Sequence, residues 1–219
     1  MDKSQLLEEL KSEGFSNFII NVFEKVKREN FIPEHLKQYA YRNEPIPIGY
    51  GATISQPYTI AFMLNLLELD KLSDIGNNEF KKLGHLNKQE KHNSQKSEKF
   101  DINNKNKEKI KILEIGSGSG YVLAIINEIL KNMKIKKYEI YGIERIKELV
   151  ENSKKVLKQD KNIKIINIDG SKGLSKESSF DRILVSAAFE EIPENLFKQL
   201  KDNGILVTPI RNSIFQFKK

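Results

Sequence analysis

Apolar residues recur three or four positions apart through residues 2–29, with a break at Gly14. This spacing places them along one face of a helix, and glycine at the break favours a helix end. We therefore predict two helices packed on a core. Their apolar positions are Leu6, Leu7, Leu10, Phe15, Phe18, Ile19, Val22, Phe23 and Val26.

Shorter elements are predicted in residues 31–69. Residues 34–40 can form a short helix, and the proline- and glycine-rich stretch 43–51 predicts turns. A further amphipathic helix is predicted over 60–69, opening just after Pro57, where the missing N–H of proline is harmless. Residues 1–69 are thus expected to form a helical N-terminal layer.

Strict alternation of strands and helices begins at residue 110. Helices are predicted at 121–132, at about 146–157 and at 192–200, between strands. Such alternation predicts a mostly parallel sheet with helices on both faces, and ligands that bind beyond the carboxyl ends of the strands. We expect one Rossmann-like α/β domain over 1–219, with its core at 110–219. The predicted strands are 110–115, 139–143, 163–168, 181–186 and 204–210.

Residues 70–109 show no sustained hydrophobic period and are rich in Lys, Asn, Gln and Ser. This composition predicts a mobile, solvated insertion, although a role in binding a partner stays open. The formal charge of the chain is +7, and residues 71–111 hold eleven lysines against six acidic residues. Because most of the excess charge lies there, we do not expect the folded domain to present a basic face to nucleic acid.

The first strand of the core runs into a glycine-rich loop. Glu114 stands at the end of the strand, and glycines follow at 116, 118 and 120. Glycine allows a tight turn and a close approach of the backbone to a ligand. A dinucleotide loop needs another glycine spacing, and a Walker loop needs Gly-Lys-Ser/Thr. The loop therefore favours S-adenosylmethionine over NAD, FAD or a nucleoside triphosphate.

Two further acidic residues end the next strands of the predicted sheet. Glu144 lies where an acidic residue commonly reaches the ribose hydroxyls of a nucleotide. Asp169 ends the following strand, placed to meet an adenine amino group, and Gly170 lets the backbone come close. Together with Glu114 and the loop, these residues predict a nucleoside-binding site.

The sequence resembles the protein-L-isoaspartate (D-aspartate) O-methyltransferases, which repair damaged aspartyl residues with S-adenosylmethionine. The most specific match is Pro-Ile-Pro-Ile-Gly-Tyr-Gly-Ala-Thr-Ile-Ser-Gln-Pro at 45–57, which is similar to the family's Thr-Ile-Ser-x-Pro signature. Generic methyltransferases share the glycine loop and lack this signature. Further matches lie at 141–150, 169–173, 180–188, 192–193, 199–201 and 204–209.

The resemblance implies roles for individual residues. Ser55 would face the methyl donor and the substrate carboxylate as the catalytic residue, and Thr53 and Ile54 would line the same crevice. Ile54 and Val207 would contact the substrate, whose main chain would be recognised more than its side chains. The implied activity is methyl transfer to the free carboxylate of L-isoaspartyl and D-aspartyl residues in damaged proteins and peptides.

The sequence departs from the family pattern in two places. Tyr58 stands where many members have histidine after the proline. The chain also ends at Lys219, shortly after the fifth predicted strand, where the family continues with further strands. We therefore expect a sheet truncated after that strand, with an unpaired edge that lowers stability or promotes association.

Two alternatives remain open at this point. A methyltransferase acting on RNA would present a basic face and bind RNA with a steep salt dependence. A truncated, inactive relative would bind the cofactor without turnover, or bind nothing. Transfer of methyl to an isoaspartyl peptide separates the repair enzyme from both.

Composition adds expectations about compartment and assembly. The chain has no cysteine, which removes disulfides, thiolate metal sites and cysteine nucleophiles and fits a reducing cytoplasm. The three histidines are scattered, so we expect no metal site. No apolar run approaches a membrane span or a signal peptide. We expect a soluble, cytoplasmic monomer.

Overall fold

The computed structural model describes residues 1–73, 109–187, 190–191 and 194–219. Its α-helices are α1 Lys3–Ser12, α2 Asn17–Lys25, α3 Pro57–Leu66, α4 Tyr121–Asn132, α5 Lys147–Val156 and α6 Glu194–Lys198. Its strands are β1 Ile46–Gly49, β2 Ala52–Ile54, β3 Ile110–Ile115, β4 Tyr138–Glu144, β5 Ile163–Asn167, β6 Phe180–Val185, β7 Leu200–Ile210 and β8 Ser213–Lys218.

Six strands form the main sheet in the order β5-β4-β3-β6-β7-β8. The first five are parallel, as predicted, and β8 is antiparallel to β7. Both expectations for the carboxyl-terminal region are therefore wrong: the sheet does not stop at the fifth predicted strand, and that strand has no unpaired edge. A short turn after Ile210 folds the chain back, and Ser213 pairs with Ile210.

The sheet is buried on both faces because its strands alternate side chains between two apolar cores. Ile112 packs with α4 and the N-terminal helices, whereas Leu113 packs on the opposite face with Ile183 and Leu196. Strand β6 shows the same double burial, with all of its residues shielded from solvent. This pattern explains the near-continuous apolar runs in the sequence.

The N-terminal layer lies on the face of the sheet that carries α4. Helix α1 begins at a capping box, in which Asp2 accepts a hydrogen bond from the Gln5 amide and the Gln5 side chain accepts one from the Asp2 amide. Helix α2 is tied to α4 by Lys25, which contacts Asn132 and Glu128. The two predicted helices are confirmed, and they place the 40–57 region against the carboxyl edge of the sheet.

The region that the sequence predicts as turns contains a β-hairpin. Strands β1 and β2 pair antiparallel around Tyr50, which has a positive φ of 56°. Ile46 and Ile48 point into the core while the intervening residue is exposed. The sequence did not predict these two strands, because proline and glycine, which are depleted in ordinary strands, interrupt the alternation of apolar and polar residues.

The predicted insertion at 70–109 lies mostly outside the described residues. Its first residues continue the N-terminal layer, and Leu72 is buried. The predicted helix over 192–200 is shorter in the described chain, since α6 ends at Lys198 and β7 has already begun at Leu200. No helix in the described parts of the chain is both long and apolar enough to cross a membrane.

Candidate active site

A cleft opens at the carboxyl end of β3 and β6, between the sheet and the hairpin. One wall comes from the end of β3, the glycine loop, the start of α4 and the end of β6. The other comes from the hairpin, the residues after it and α3. The lining residues are Ile48, Thr53, Ile54, Ser55, Ile60, Met63, Glu114, Gly116, Ser117, Gly118, Ser119, Tyr121, Val122, Leu184 and Ser186.

The glycine loop is closed onto the neighbouring strand by main-chain hydrogen bonds. The amides of Gly116 and Ser117 both donate to the Ile143 carbonyl, at 2.8 and 3.0 Å. All three glycines of the loop have positive φ. At Gly120 a Cβ would lie 2.8 Å from Leu157 Cδ1 and 3.2 Å from Ser153 Cβ. This glycine therefore lets α5 pack closely against the start of α4 and does not line the cleft.

Glu114 is the one fully buried carboxylate among the lining residues. Its Oε1 accepts a 2.7 Å hydrogen bond from the Ser186 hydroxyl, while its Oε2 has no partner among the residues that the structure describes. Burial raises the pKa of Glu114 to about 8, against the lowering effect of the Ser186 bond, and the nearby Glu144 carboxylate adds a smaller increase. A buried oxygen without a partner is costly, so it is suited to accept from a cationic ligand.

Glu144 is buried beneath the glycine loop. One carboxylate oxygen accepts from the Gly118 amide at 3.0 Å, and the other accepts from the Ile146 amide at 2.9 Å. The sequence did not predict this bracing of the loop. Contact between Glu144 and a ribose stays a prediction, which the free lone pairs of both oxygens allow.

Asp169 and Gly170 lie at the same edge of the sheet but outside the lining of the cleft. Asn167 pairs with Glu144 at the ends of β5 and β4, and Asp169 follows two residues later. Asp169 is exposed and accepts from the Ser171 amide, a bond that lowers the pKa of its carboxyl. A Cβ at Gly170 would lie 2.5 Å from Ile115 Cγ2, so close packing requires this glycine.

The predicted Thr-Ile-Ser segment lines the cleft. Thr53 pairs with Pro47 in the hairpin, and Ile54 is buried opposite Ile46. Ser55 follows β2 and is partly buried between the hairpin and α3. These three residues therefore face the end of β3, about sixty positions later in the chain.

The structure does not bring Val207 to the cleft. Its side chain is fully buried in the core, and its backbone lies between Leu184 of β6 and Gln216 of β8. The predicted contact of Val207 with the substrate stays a prediction, and in this structure the Val207 side chain packs in the core of the sheet. Tyr58, at the position where the family often has histidine, packs against the rings of Phe15 and Phe62.

Comparison with known proteins identifies the family. The family model described as Protein-L-isoaspartate(D-aspartate) O-methyltransferase (PCMT) matches residues 1–77 and 101–219. The chain belongs to this family. Residues 78–100, inside the predicted insertion, are the interior part that the match leaves out.

Named relatives agree over almost the whole chain. A protein-L-isoaspartate O-methyltransferase of Dictyoglomus thermophilum is 38% identical over 98% of this chain and 79% of its own length. One from Petrotoga mobilis is 38% identical over 95% of this chain and 79% of its own.

Solved structures of the family share the fold. A protein-L-isoaspartate O-methyltransferase superimposes with a TM-score of 0.72 at 23% identity, covering 100% of this chain and 60% of the other. A Plasmodium falciparum protein of the same description, in complex with S-adenosyl-L-homocysteine, gives 0.67 at 24% identity, covering 100% and 94%. The predicted fold of a Rossmann-like methyltransferase with N-terminal helices is thereby confirmed.

Four residues near the cleft were missed by sequence reasoning in this family member. Ser186 bonds to Glu114, and its place at the end of β6 was the available signal, because polar groups at strand ends meet at one edge. Ser117 has a buried hydroxyl with no partner in the described chain. Tyr121 packs on Phe31 at 5.3 Å between ring centroids. Arg28, behind Ser55, had no sequence signal.

Proposed function

We propose that the chain transfers the methyl group of S-adenosyl-L-methionine to the free carboxylate of L-isoaspartyl and D-aspartyl residues in damaged proteins and peptides. One observation carries the proposal. The Thr-Ile-Ser segment, which distinguishes the family from other methyltransferases, shares a single cleft with Glu114 and the glycine loop. Family membership and the names of the relatives support the same activity.

The residues of the sheet wall fit a cationic cofactor. Glu114 Oε2 and the Ser117 hydroxyl are buried polar atoms without partners in the described chain, so a ligand that bonds to them would relieve their desolvation. When bound, S-adenosylmethionine supplies an electrophilic methyl group on a positively charged sulfur. We assign its binding to Glu114, the glycine loop, Glu144, Asp169 and Gly170, with Thr53 and Ile54 on the opposite wall.

The reaction does not require a general base from the protein. A substrate carboxylate is ionised at neutral pH, so no residue has to remove a proton before the oxygen attacks the methyl carbon. Bound S-adenosylmethionine would supply the methyl group, and its sulfur would keep the electron pair of the broken S–C bond as the substrate oxygen formed the new O–C bond. The work of the protein is to orient the two reactants and to exclude water.

Ser55 is the residue we assign to orienting the carboxylate. Its hydroxyl can donate a hydrogen bond to one carboxylate oxygen and leave the other free to attack. The apolar side chains of Ile54, Met63 and Leu184 line the same cleft and limit the water that would weaken the nucleophile. The methyl ester carries methoxide as a leaving group, which departs far more readily than the oxide of a free carboxylate, so succinimide closure can expel methanol. Hydrolysis of the succinimide then partly restores normal aspartate without further help from the enzyme.

The direct test is transfer of labelled methyl from S-adenosylmethionine to a peptide with one isoaspartyl residue. The same peptide with normal aspartate is the matched control. We expect base-labile label on the isoaspartyl peptide alone. Cofactor binding without transfer to that peptide would instead support an inactive relative, and transfer to RNA would support the other alternative.

We also propose that the protein acts as a monomer in the cytoplasm. The absence of cysteine supports a reducing compartment, because nothing in the chain depends on oxidation. Strand β8 covers the edge of β7 and becomes the edge strand of the sheet in the described chain; it is short and contains Lys218, features that discourage edge-to-edge association. Light scattering after size-exclusion chromatography should give the mass of one chain, and fractionation of the source cells should place it with cytoplasmic markers.

A further inference from the structure

Arg28 is a buried cation that the proposed reaction does not use. Its side chain is fully shielded from solvent, in a 3₁₀ turn just after α2. The hydrogen bonds that it makes within the described chain all go to main-chain carbonyls, and none goes to a carboxylate. Burial lowers the pKa of Arg28 to about 10. Burying a charged group costs free energy, so we expect Arg28 to make contacts that an apolar residue could not make.

The carbonyls that Arg28 contacts belong to two separate chain segments. Nη1 donates to Ala40 at 2.8 Å and to Arg42 at 3.1 Å, and Nη2 donates to Glu44 at 3.2 Å. Nη2 also donates to the carbonyl of Ser55 at 2.9 Å. The guanidinium therefore joins the 40–44 segment to the residue that faces the reactants.

The segment that Arg28 joins to Ser55 is itself fastened to α3. The Asn43 side chain accepts a 3.0 Å hydrogen bond from the Tyr58 amide in the first turn of α3 and donates to Glu9 of α1 at 2.7 Å. Ser55 lies two residues before α3. The backbone of Ser55 is thus held between the start of α3 and the guanidinium of Arg28. The guanidinium is planar, so the positions of its donors are fixed relative to one another.

We propose that Arg28 is a positioning residue for methyl transfer, holding the main chain of Ser55 so that its hydroxyl meets the substrate carboxylate. The inference rests on the proposed function of Ser55. Arg28 does not line the cleft; it acts through the Ser55 carbonyl. Displacing a reacting group by about 1 Å can cost about 10²-fold in rate, so loss of the guanidinium should be visible in turnover.

Arg182 offers a matched control at the other end of α3. It is also buried, and it donates to the carbonyls of Leu67, Glu68 and Asp181 at 2.7 to 3.2 Å. Burial lowers its pKa as well. It lies outside the lining of the cleft, so its replacement removes comparable hydrogen bonds without touching Ser55.

The test compares Arg28→Lys, Arg182→Lys, Ser55→Ala and the double variant Arg28→Lys/Ser55→Ala. Lysine keeps the charge but cannot bridge both segments with a planar fork. Cofactor affinity, kcat and KM for an isoaspartyl peptide are measured well below the melting temperature of every variant. We expect Arg28→Lys to lower kcat about 10- to 100-fold with cofactor Kd within about threefold. Arg182→Lys should melt earlier and keep its kcat.

The double variant decides whether Arg28 acts through Ser55. If it does, the double variant is no slower than Ser55→Ala alone, because the two losses are not additive. Independent, multiplying losses would overturn the inference, as would a wild-type kcat for Arg28→Lys. Arg28→Gln is the second variant; if neither Arg28 variant binds cofactor, the residue serves the whole fold and the inference is likewise overturned. A wild-type kcat for Ser55→Ala would contradict the role of Ser55 itself, which is a different result.

Discussion

The two walls of the cleft are built in different ways. The sheet wall carries Glu114, the glycine loop and Ser186, and its backbone is held by the ladders of β3 with β4 and β6. The hairpin wall carries Thr53, Ile54 and Ser55 on a strand of three residues and the turn that follows it. Arg28 holds that turn through one carbonyl.

This difference leads us to expect that the two walls serve different functions. A ladder repeats many equivalent hydrogen bonds, so a single side-chain change seldom moves the backbone. The hairpin wall depends on a few individual contacts and is easier to displace. Substitutions in the sheet wall should therefore act on cofactor binding and stability, whereas substitutions around Ser55 should act on the transfer step.

Ser55→Ala should give the largest functional loss. Removal of the hydroxyl leaves the substrate carboxylate without its proposed hydrogen bond, and we expect kcat to fall about 10²-fold while cofactor Kd stays nearly constant. Initial rates with a labelled methyl donor and calorimetric titration with cofactor measure the two effects. Ser16→Ala is the control, since Ser16 is exposed and caps α2 without a side-chain hydrogen bond. If Ser55→Ala lowered cofactor affinity as much as it lowered kcat, the proposed separation of function between the two walls would be wrong.

Gly120→Ala should act on the sheet wall instead. A side chain there meets both a left-handed backbone, at φ 84°, and the packed side chains of Leu157 and Ser153. We expect a loss of about 2–3 kcal/mol in the free energy of unfolding and weaker cofactor binding. Gly14→Ala is the matched control, because its φ is 87° and no described residue has an atom within 4 Å of the added carbon. It should cost only the backbone strain, about 1–2 kcal/mol, and leave cofactor affinity intact.

Glu114→Gln should remove a pH dependence. The pKa of Glu114 is raised to about 8 in the folded protein, above its unfolded value of 4.5, so the folded state holds the extra proton. Stability should therefore fall as pH rises from about 4.5 through 8, and the variant should lack this decline. A cationic cofactor binds better to the ionised group, so wild-type affinity should rise toward pH 8 and exceed that of the variant by about tenfold above it.

Thermal melts and calorimetric titrations between pH 5 and about pH 9 measure both effects of Glu114. Glu148→Gln, on the exposed face of α5, is the control and should follow the wild type throughout. A wild-type affinity that does not change with pH would show that the cofactor does not contact this carboxylate.

Glu68→Gln should have the smallest effect and should lie outside both walls. Glu68 joins the turn after α3 to β8 through Lys218 at 2.7 Å and Gln216 at 3.3 Å, and it also accepts a local hydrogen bond from Lys71 at 2.8 Å. Although burial opposes them, these hydrogen bonds lower the pKa of Glu68 to about 2. We expect a loss of about 0.5–1 kcal/mol in unfolding free energy at neutral pH, with activity unchanged.

The effect of Glu68 should disappear in acid. Its folded pKa lies below the unfolded value of 4.5, so its contribution is complete above that value and is lost as pH falls toward 2. Denaturant unfolding at pH 7 and at about pH 3 measures the difference. The exposed pair of Glu34 with Lys37 has the same spacing, and Glu34→Gln should change almost nothing at either pH.

Most of the main sheet could be predicted from the sequence. Strands β3 to β6 and helices α4 and α5 follow from local periodicity and glycine placement, within one residue at their ends. Strand β8 was missed because its apolar residues are half-exposed and its pairing with β7 is decided by a turn at Arg211 with positive φ. The hairpin was missed because its strands are short and contain proline and glycine.

The candidate site was predicted as a set of residues but not as an arrangement. Glu114 and the Thr-Ile-Ser segment reach the cleft, as the motifs indicated. Val207 does not, because alternation along β7 turns its side chain into the core. Glu144 was expected only at a ribose, yet in this structure its carboxylate braces the Gly118 amide.

The sequence alone determined the alternating α/β core, the glycine loop and the family, because each of these depends on patterns and motifs formed by residues that are close together in the chain. Only the tertiary structure decided that Glu114 keeps a buried oxygen without a partner in the described parts of the chain and that Arg28 donates to the carbonyl of Ser55. Both facts arise between segments far apart in the chain. The packing of these distant segments sets which atoms are buried and which groups form hydrogen bonds, and neither can be predicted from the local sequence pattern.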